Sequence, residues 1–275
     1  MYTLNCKGRL LVLDKPVVMG ILNITPDSFY SGSRVEQTDV LQKAGQMIDE
    51  GATILDIGGQ STRPGSDRLT AAEELNRVLP AIKSIKENYP SVFLSIDTYH
   101  ATVAKETVAA GVDLVNDISA GDMDTNMLST VASLNIPFIA MHMQGTPDTM
   151  QDKPTYDNIA KEVVDYFIQK TAACKAAGIT DIIIDPGFGF GKTINHNFQL
   201  LKQMEVFHLF QLPVLAGLSR KSTIWKTLHV TPEEALNGTT VLNTLALTKG
   251  ASILRVHDVR EAVEAIKLYE AYSNA

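Results

Sequence analysis

The chain has 275 residues, 45% hydrophobic and 20% charged, with a formal net charge of −7. This composition suits a soluble globular protein able to bury its core without disulfide or metal staples, and its acidity argues against a nucleic-acid surface. Two cysteines without metal-ligand spacing point to a reducing compartment. With no apolar leader and no run near about 18 apolar residues, neither secretion nor membrane spanning is expected, and a cytoplasmic location is.

Residues before Val17 suit a short hairpin or plug. From there, β-branched runs recur at 17–23, 53–59, 93–98, 114–119, 137–142, 181–187, 214–219 and 252–257. They are mostly continuous rather than alternating, as strands covered on both faces are. Between them, apolar residues fall at helical spacing: Val40, Ala44, Met47 and Ile48, then Ile159, Val163, Tyr166 and Phe167. A closing helix over 259–272 carries Val263, Ile266 and Tyr269 on one face. Gly51, Gly111, Gly178 and Gly250 each follow a helix and precede a strand, where a left-handed residue ends a helix. No linker or low-complexity stretch interrupts the series. The pattern predicts an α/β protein: a (β/α)8 TIM barrel, one domain over 1–275, with the leading residues at its bottom. An open doubly wound sheet is the alternative on pattern alone.

In a barrel, chemistry belongs at the C-terminal strand ends. There the sequence places Asn23, Asp56, Asp97-Thr98, Asn116-Asp117, Met141-His142, Asp185-Pro186-Gly187, Ser219-Arg220-Lys221 and Arg255-Val256-His257-Asp258. One polar strand end often only caps the next helix, which is the better reading of Asp258. A whole rim of them implies mutual pairing or a polar ligand, because an unpaired buried polar group costs roughly 2–7 kcal/mol. Asp97, Asn116 and Asp185 offer acceptors to a flat heterocycle with an amidine-like edge. Arg63, Arg220, Lys221, Arg255 and His257 offer charge or donors to phosphate or carboxylate. Taken alone, Arg220-Lys221 also reads as a solvated charge cluster.

Two motifs mislead. The run Gly187 to Thr193 resembles a P-loop, but only three residues separate Gly187 from Gly191 where four are required. The six histidines show no ligand-pair spacing, so a protein-built zinc cage is not expected. Met127, Met141, Met143, Met150 and Trp225 read as core or pocket lining.

In order along the chain stand the segments Met19–Phe29 (MGILNITPDSF), 56–65 (DIGGQSTRPG), 95–98 (SIDT), 115–118 (VNDI), 141–145 (MHMQG), 185–192 (DPGFGFGK), 217–221 (GLSRK) and 255–259 (RVHDV). All eight together resemble the dihydropteroate synthase family, over nearly the whole chain. The resemblance implies a transferase of folate biosynthesis and a sulfonamide target. It would condense 6-hydroxymethyl-7,8-dihydropterin pyrophosphate with p-aminobenzoate to give 7,8-dihydropteroate and pyrophosphate. It implies that Asp97, Asn116, Asp185 and Lys221 hydrogen-bond the pterin, with Gly217 beside it and Met141, Phe190 and Arg255 lining or stacking on the ring. It assigns the pyrophosphate to Asn23, Thr62, Arg63, Arg255 and His257, with Asn23 touching Mg²⁺. Phe29 and Pro64 mark two loops of the p-aminobenzoate site, whose carboxylate would meet Lys221 and Ser222. Asp97, Asp185, Lys221 and Arg255 would carry catalysis through an SN1-like loss of pyrophosphate, and a homodimer is expected.

Two departures stand out. Gln60 occupies a position where the family usually has Glu, and the first loop reads Asp27-Ser-Phe-Tyr-Ser-Gly-Ser33, without its usual second carboxylate. These motivate the alternative of a catalytically silent pterin-binding paralogue. A corrinoid-dependent methyltransferase shares the Asp/Asn/Asp floor but does not need Ser61-Thr-Arg-Pro-Gly65 or Ser219-Arg-Lys221.

Overall fold

The computed structural model describes residues 1–24, 34–60, 68–147, 150 and 154–275, with backbone only over 34–38. The chain opens with an antiparallel hairpin, β1 (Tyr2–Cys6) and β2 (Arg9–Leu13). Its two-residue turn, Lys7-Gly8, has φ of 53° and 87°, and the positive sign at both centres matches the twist of the paired strands. Alternation along both strands buries Leu4, Cys6, Leu11 and Leu13 on one face.

Eight parallel strands follow: β3 (Val17–Asn23), β4 (Ile54–Gly58), β5 (Phe93–Asp97), β6 (Leu114–Asp117), β7 (Phe138–Met141), β8 (Ile182–Asp185), β9 (Leu215–Ala216) and β10 (Ile253–Val256). They run in the order β8-β7-β6-β5-β4-β3-β10-β9. A parallel bridge between Ile184 and Val214, with Ile184 N–H donating to the Pro213 carbonyl at 3.0 Å, joins the two ends into a barrel. The open sheet is thereby set aside. Each expected strand is present, most ending one to three residues earlier than its apolar run, so His142, Gly187, Ser219 and His257 emerge beyond the ladder.

The helices are α1 (Arg34–Asp49), α2 (Ala71–Asn88), α3 (Ala101–Ala109), α4 (Met127–Leu134), α5 (Ile159–Ala177), α6 (Ile194–Lys202), α7 (Ser222–Leu228), α8 (Leu236–Thr248) and α9 (Val259–Ser273), with a 3₁₀ stretch over Met204–Phe210. The start of α2 shows why it begins there. Thr70 Oγ1 accepts from Glu73 N–H, and Glu73 returns the bond to Thr70 N–H at 2.8 Å, a capping box. At its other end α5 stops on Gly178, whose φ of 98° only a residue without Cβ adopts freely. Gly51, Gly111 and Gly250 also have positive φ, as their positions predicted.

Two apolar layers result. Outward-facing strand residues such as Leu55, Ile57, Leu94, Ile96 and Val115 meet the helices, including Val40, Ala44, Met47, Val163 and Phe167. Inward-facing Val17, Met19, Ile54, Leu114, Ile139, Ile183, Leu215 and Ile253 fill the lower barrel, where the hairpin's buried face joins them. The leading segment is a plug. Met127 is buried and Trp225 half-buried against the outer core, both as packing residues.

Candidate functional site

Strand side chains alternate faces, so residues that share parity with the inner apolar layer point to the barrel axis. One step above Ile54 comes Asp56, above Leu114 Asn116, above Ile139 Met141, above Ile183 Asp185, and above Ile253 Arg255; Asp97 stands two steps above Phe93. The lower positions seal the barrel and the upper ones form a polar floor.

That floor is organised by Asp56, which is fully buried. Its Oδ2 accepts from Arg255 Nε at 2.6 Å and from Asn116 Nδ2 at 3.0 Å. Because a carboxylate only accepts, this bond turns the Asn116 amide so that its own oxygen is left for a ligand. Arg255 Nη2 donates to Asp97 Oδ2 at 2.7 Å, tying a second carboxylate into the array. Asp56 Oδ1 is buried without a hydrogen-bond partner. Asp185 Oδ1 accepts from Gly187 N–H at 2.7 Å. Lys221 Nζ donates to the Phe188 carbonyl and stands 4.6 Å from the Phe190 ring centroid. Met141, Tyr99 and Ile118 form an apolar cluster with Phe190, Met123 and Met143 packed on it.

Burial and neighbouring charge tune this array. Burial raises Asp97 to about 7; Arg255 opposes the shift, while Asp56, Asp117 and Asp185 add to it. Asp185 is raised by burial against the pull of Lys221 and the Gly187 hydrogen bond. Burial lowers Lys221 to about 8 although Asp185 favours its charge. Arg255 stays charged, since Asp56 and Asp97 outweigh the opposing effect of burial. His257 is exposed at the rim, where it exchanges hydrogen bonds with Ser219. Crowding by surrounding protein and the Arg255 charge hold its imidazole below the usual value. Near pH 7 the ring is therefore a neutral donor or acceptor.

The chain matches the pterin binding enzyme family over residues 19–257. It is 44% identical over 272 residues to the dihydropteroate synthase of Escherichia coli K12, covering 98% of this chain and 96% of that protein. The chain belongs to the dihydropteroate synthase family. A crystal structure of the Yersinia pestis dihydropteroate synthase in complex with a sulfonamide drug superposes with a TM-score of 0.94, at 42% identity and full coverage of both chains. A Xanthomonas albilineans dihydropteroate synthase with 4-aminobenzoic acid superposes with a TM-score of 0.91, at 40% identity over 99% of this chain and 98% of that one.

Among the residues expected from sequence, the dihydropteroate synthase barrel brings Asp97, Asn116, Met141, Asp185, Phe190, Lys221 and Arg255 to one mouth. Gly217 lies beside Lys221, where an added Cβ would stand 3.8 Å from Nζ. Ser222 is the half-buried first residue of α7. Asn23 ends β3 at an exposed position, and its side-chain oxygen lies 3.2 Å from where a Cβ on Gly58 would be. Phe29, Thr62, Arg63 and Pro64 lie outside the described residues. Two readings change. Arg220 is a structural clamp: Nε and Nη2 hold both Asp258 oxygens at 2.9 and 2.8 Å, and Nη1 donates to the carbonyls of Pro232 and Glu233. Asp258 accordingly pairs with Arg220 and makes no side-chain helix cap.

Sequence reasoning gave no role to Asp56, Glu74 or Lys192. For Asp56 the signal was available, a carboxylate of inward parity between Leu55 and Ile57. Lys192 was hidden by comparison with a P-loop. Glu74, buried against Thr98 Oγ1 at 3.1 Å, looks in sequence like any acidic first-turn residue.

Proposed function

We propose that this mouth holds 6-hydroxymethyl-7,8-dihydropterin pyrophosphate and passes its pterin-methyl group to the amine of p-aminobenzoate. The observation that carries this reading is the linked array Asn116–Asp56–Arg255–Asp97 beside Asp185 and Lys221. It fixes two carboxylates and an amide oxygen as acceptors around a single pocket. Those acceptors suit the amino and ring N–H groups of a pterin, and Phe190 with Met141 offers an apolar wall. Lys221 and Ser222 would receive the p-aminobenzoate carboxylate.

In the reaction, the bond from the pterin methylene carbon to the pyrophosphate oxygen breaks, and its electron pair leaves with pyrophosphate. The amine nitrogen forms the new bond and releases one proton. Arylamines are weak nucleophiles, so stabilising the departing charge is the larger task. Arg255 supplies fixed positive charge and His257 a hydrogen bond, where preorganised groups are most effective. The ionised Asp97 and Asp185 favour positive charge developing on the pterin. Thr62 and Arg63 complete the anion site in this proposal.

Mg²⁺ fits the residues present. Among the described residues no cluster of three acidic, histidine or cysteine side chains could hold a metal. One hard amide oxygen from Asn23 at the rim suits an ion that keeps waters and relies on substrate phosphates. Bound there, Mg²⁺ would neutralise charge on the leaving group.

We place the enzyme in the cytoplasm as a homodimer. Free, buried Cys6 and Cys174 accord with a reducing compartment. Val241 and Leu245, one turn apart and exposed on α8, offer apolar surface to a second copy. No helix among the described residues is long and apolar enough to cross a membrane.

Dihydropteroate formation followed by mass spectrometry tests the proposal. Product should appear with both substrates and Mg²⁺, disappear with excess chelator and return when Mg²⁺ is restored. Product formation indifferent to chelation would contradict the metal assignment.

A further inference from the structure

The segment Gly187-Phe188-Gly189-Phe190-Gly191 passes behind the pocket with all three glycines at positive φ, 69°, 85° and 61°. That backbone is forced on it: a Cβ on Gly187 would lie 1.9 Å from the His142 carbonyl oxygen, and one on Gly191 2.5 Å from the Gln144 carbonyl oxygen. A chain bent this way turns two of its carbonyl groups, those of Gly187 and Phe190, toward a common centre. Lys192 occupies that centre. It is buried, and its Nζ lies 2.9 Å from the Gly187 oxygen, 3.0 Å from the Phe190 oxygen, 3.3 Å from the His142 oxygen and 2.9 Å from His142 Nδ1.

The opposite side of the same segment supplies three parts of the pterin pocket. Gly187 N–H holds Asp185, the Phe188 carbonyl holds Lys221 Nζ, and the Phe190 ring lies beneath that ammonium. We infer that Lys192 is a positioning residue for pterin recognition, acting through the 187–191 segment on Asp185, Phe190 and Lys221. It draws the Gly187, Phe190 and His142 carbonyls to one point, the first of which also accepts from Phe190 N–H at 3.1 Å, and joins the end of β7, through His142, to the end of β8. Burial lowers both partners: the His142 imidazole to about 2, with Lys192 adding to the shift, and the Lys192 ammonium well below its ordinary value against the pull of Asp185; the ring is neutral and its Nδ1 accepts from Lys192. Tyr156 adds a second anchor, donating its hydroxyl to the Gly191 carbonyl at 2.8 Å.

This inference deepens the proposed function and rests on it, but it can be tested separately. Calorimetric binding of 6-hydroxymethyl-7,8-dihydropterin pyrophosphate, with circular dichroism as the folding control, would compare wild type with Lys192→Met and Tyr156→Phe. Lys192→Met keeps the stem and removes the donors. At metal sites, loss of a residue that orients a ligand reduces affinity or activity roughly 10–100-fold, and an effect at the lower end of that range is expected for Lys192. A folded Lys192→Met is expected to bind the pterin substrate at least about tenfold more weakly, with its KM raised by more than the KM for p-aminobenzoate, which depends on the segment only through Lys221. Equal rises in both constants, or unchanged pterin binding in folded protein, would overturn the inference. If Lys192→Met does not fold, Tyr156→Phe decides: a selective loss of pterin affinity supports it and unchanged affinity overturns it. Should wild type bind the pterin without turnover, the binding comparison still tests Lys192 while the synthase proposal fails.

Discussion

At the residue scale, the most informative side chain is one that need not touch substrate. Asp56 orients Asn116 and Arg255 together, so Asp56→Asn should disturb both, with Arg255 left on Asp97 alone. Breaking a buried pair costs up to roughly 3–5 kcal/mol of stability, and the KM for the pterin substrate should rise with it; unfolding calorimetry and steady-state kinetics check the two effects. Asp185→Asn removes an acceptor and its charge in place, and should cost roughly 2–4 kcal/mol in kcat/KM. Turnover near wild type would remove Asp185 from the mechanism. Asp97, raised to about 7, must be ionised to accept two ligand donors. Pterin affinity should therefore fall as pH drops from 8 to 6, and calorimetry across that range reads it; affinity that rises instead would contradict the role. Asp97 and Asp185 were legible because a carboxylate at a strand end is a sequence property, whereas Asp56 stood on the same rim without a role. Arg220 was not, because the Arg220–Asp258 ion pair joins residues 38 positions apart through their two loops.

At the element scale, α2 shows what a helix conceals from its sequence. Glu73 and Glu74 sit side by side in the first turn; Glu73 closes the capping box while Glu74 is buried, with Oε1 unpartnered. Burial raises Glu74 from 4.5 to about 8, Asp97 adds to the shift, and the Thr98 hydroxyl opposes it. Between those values the folded chain holds a proton that the unfolded chain has released. Its stabilising contribution is complete below about 4.5 and is lost as pH rises through about 8, by as much as roughly 1.4 kcal/mol per pH unit. Asp97 and Asp117, also raised by burial, share the sign. The melting temperature should accordingly fall between about pH 4.5 and 8, and Glu74→Gln should flatten that fall. Identical pH dependence in the two proteins would show that Glu74 is ionised throughout. Helical spacing gave α2 no such role, since only the fold decides which of two adjacent acids faces Thr98.

At the scale of the whole molecule, eight recurring apolar runs and four helix-ending glycines make the barrel readable in the sequence. Its closure was less direct: β9 is two residues long, and one bridge completes the ring. The hairpin plug lets the rim remain polar, since the lower barrel is already sealed by Leu4, Leu11 and Leu13. Leu11→Ala should cost roughly 2–5 kcal/mol in urea unfolding and leave both KM values unchanged, because the hairpin lies at the opposite end from the site. A cost below about 1 kcal/mol would show that the plug adds little. The floor of the pocket was legible as a set of residue types, whereas its wiring through Asp56 and Lys192 came only with the fold, because hydrogen bonds between strands have no signature in a single sequence. In the proposed function this wired floor supports transfer as well as binding, despite Gln60. That function is tested most directly by pyrophosphate release from 6-hydroxymethyl-7,8-dihydropterin pyrophosphate with Mg²⁺, in the presence and absence of p-aminobenzoate. Release matched mole for mole by dihydropteroate is the predicted result. Saturable pterin binding with neither product would contradict it and identify a silent pterin-binding paralogue.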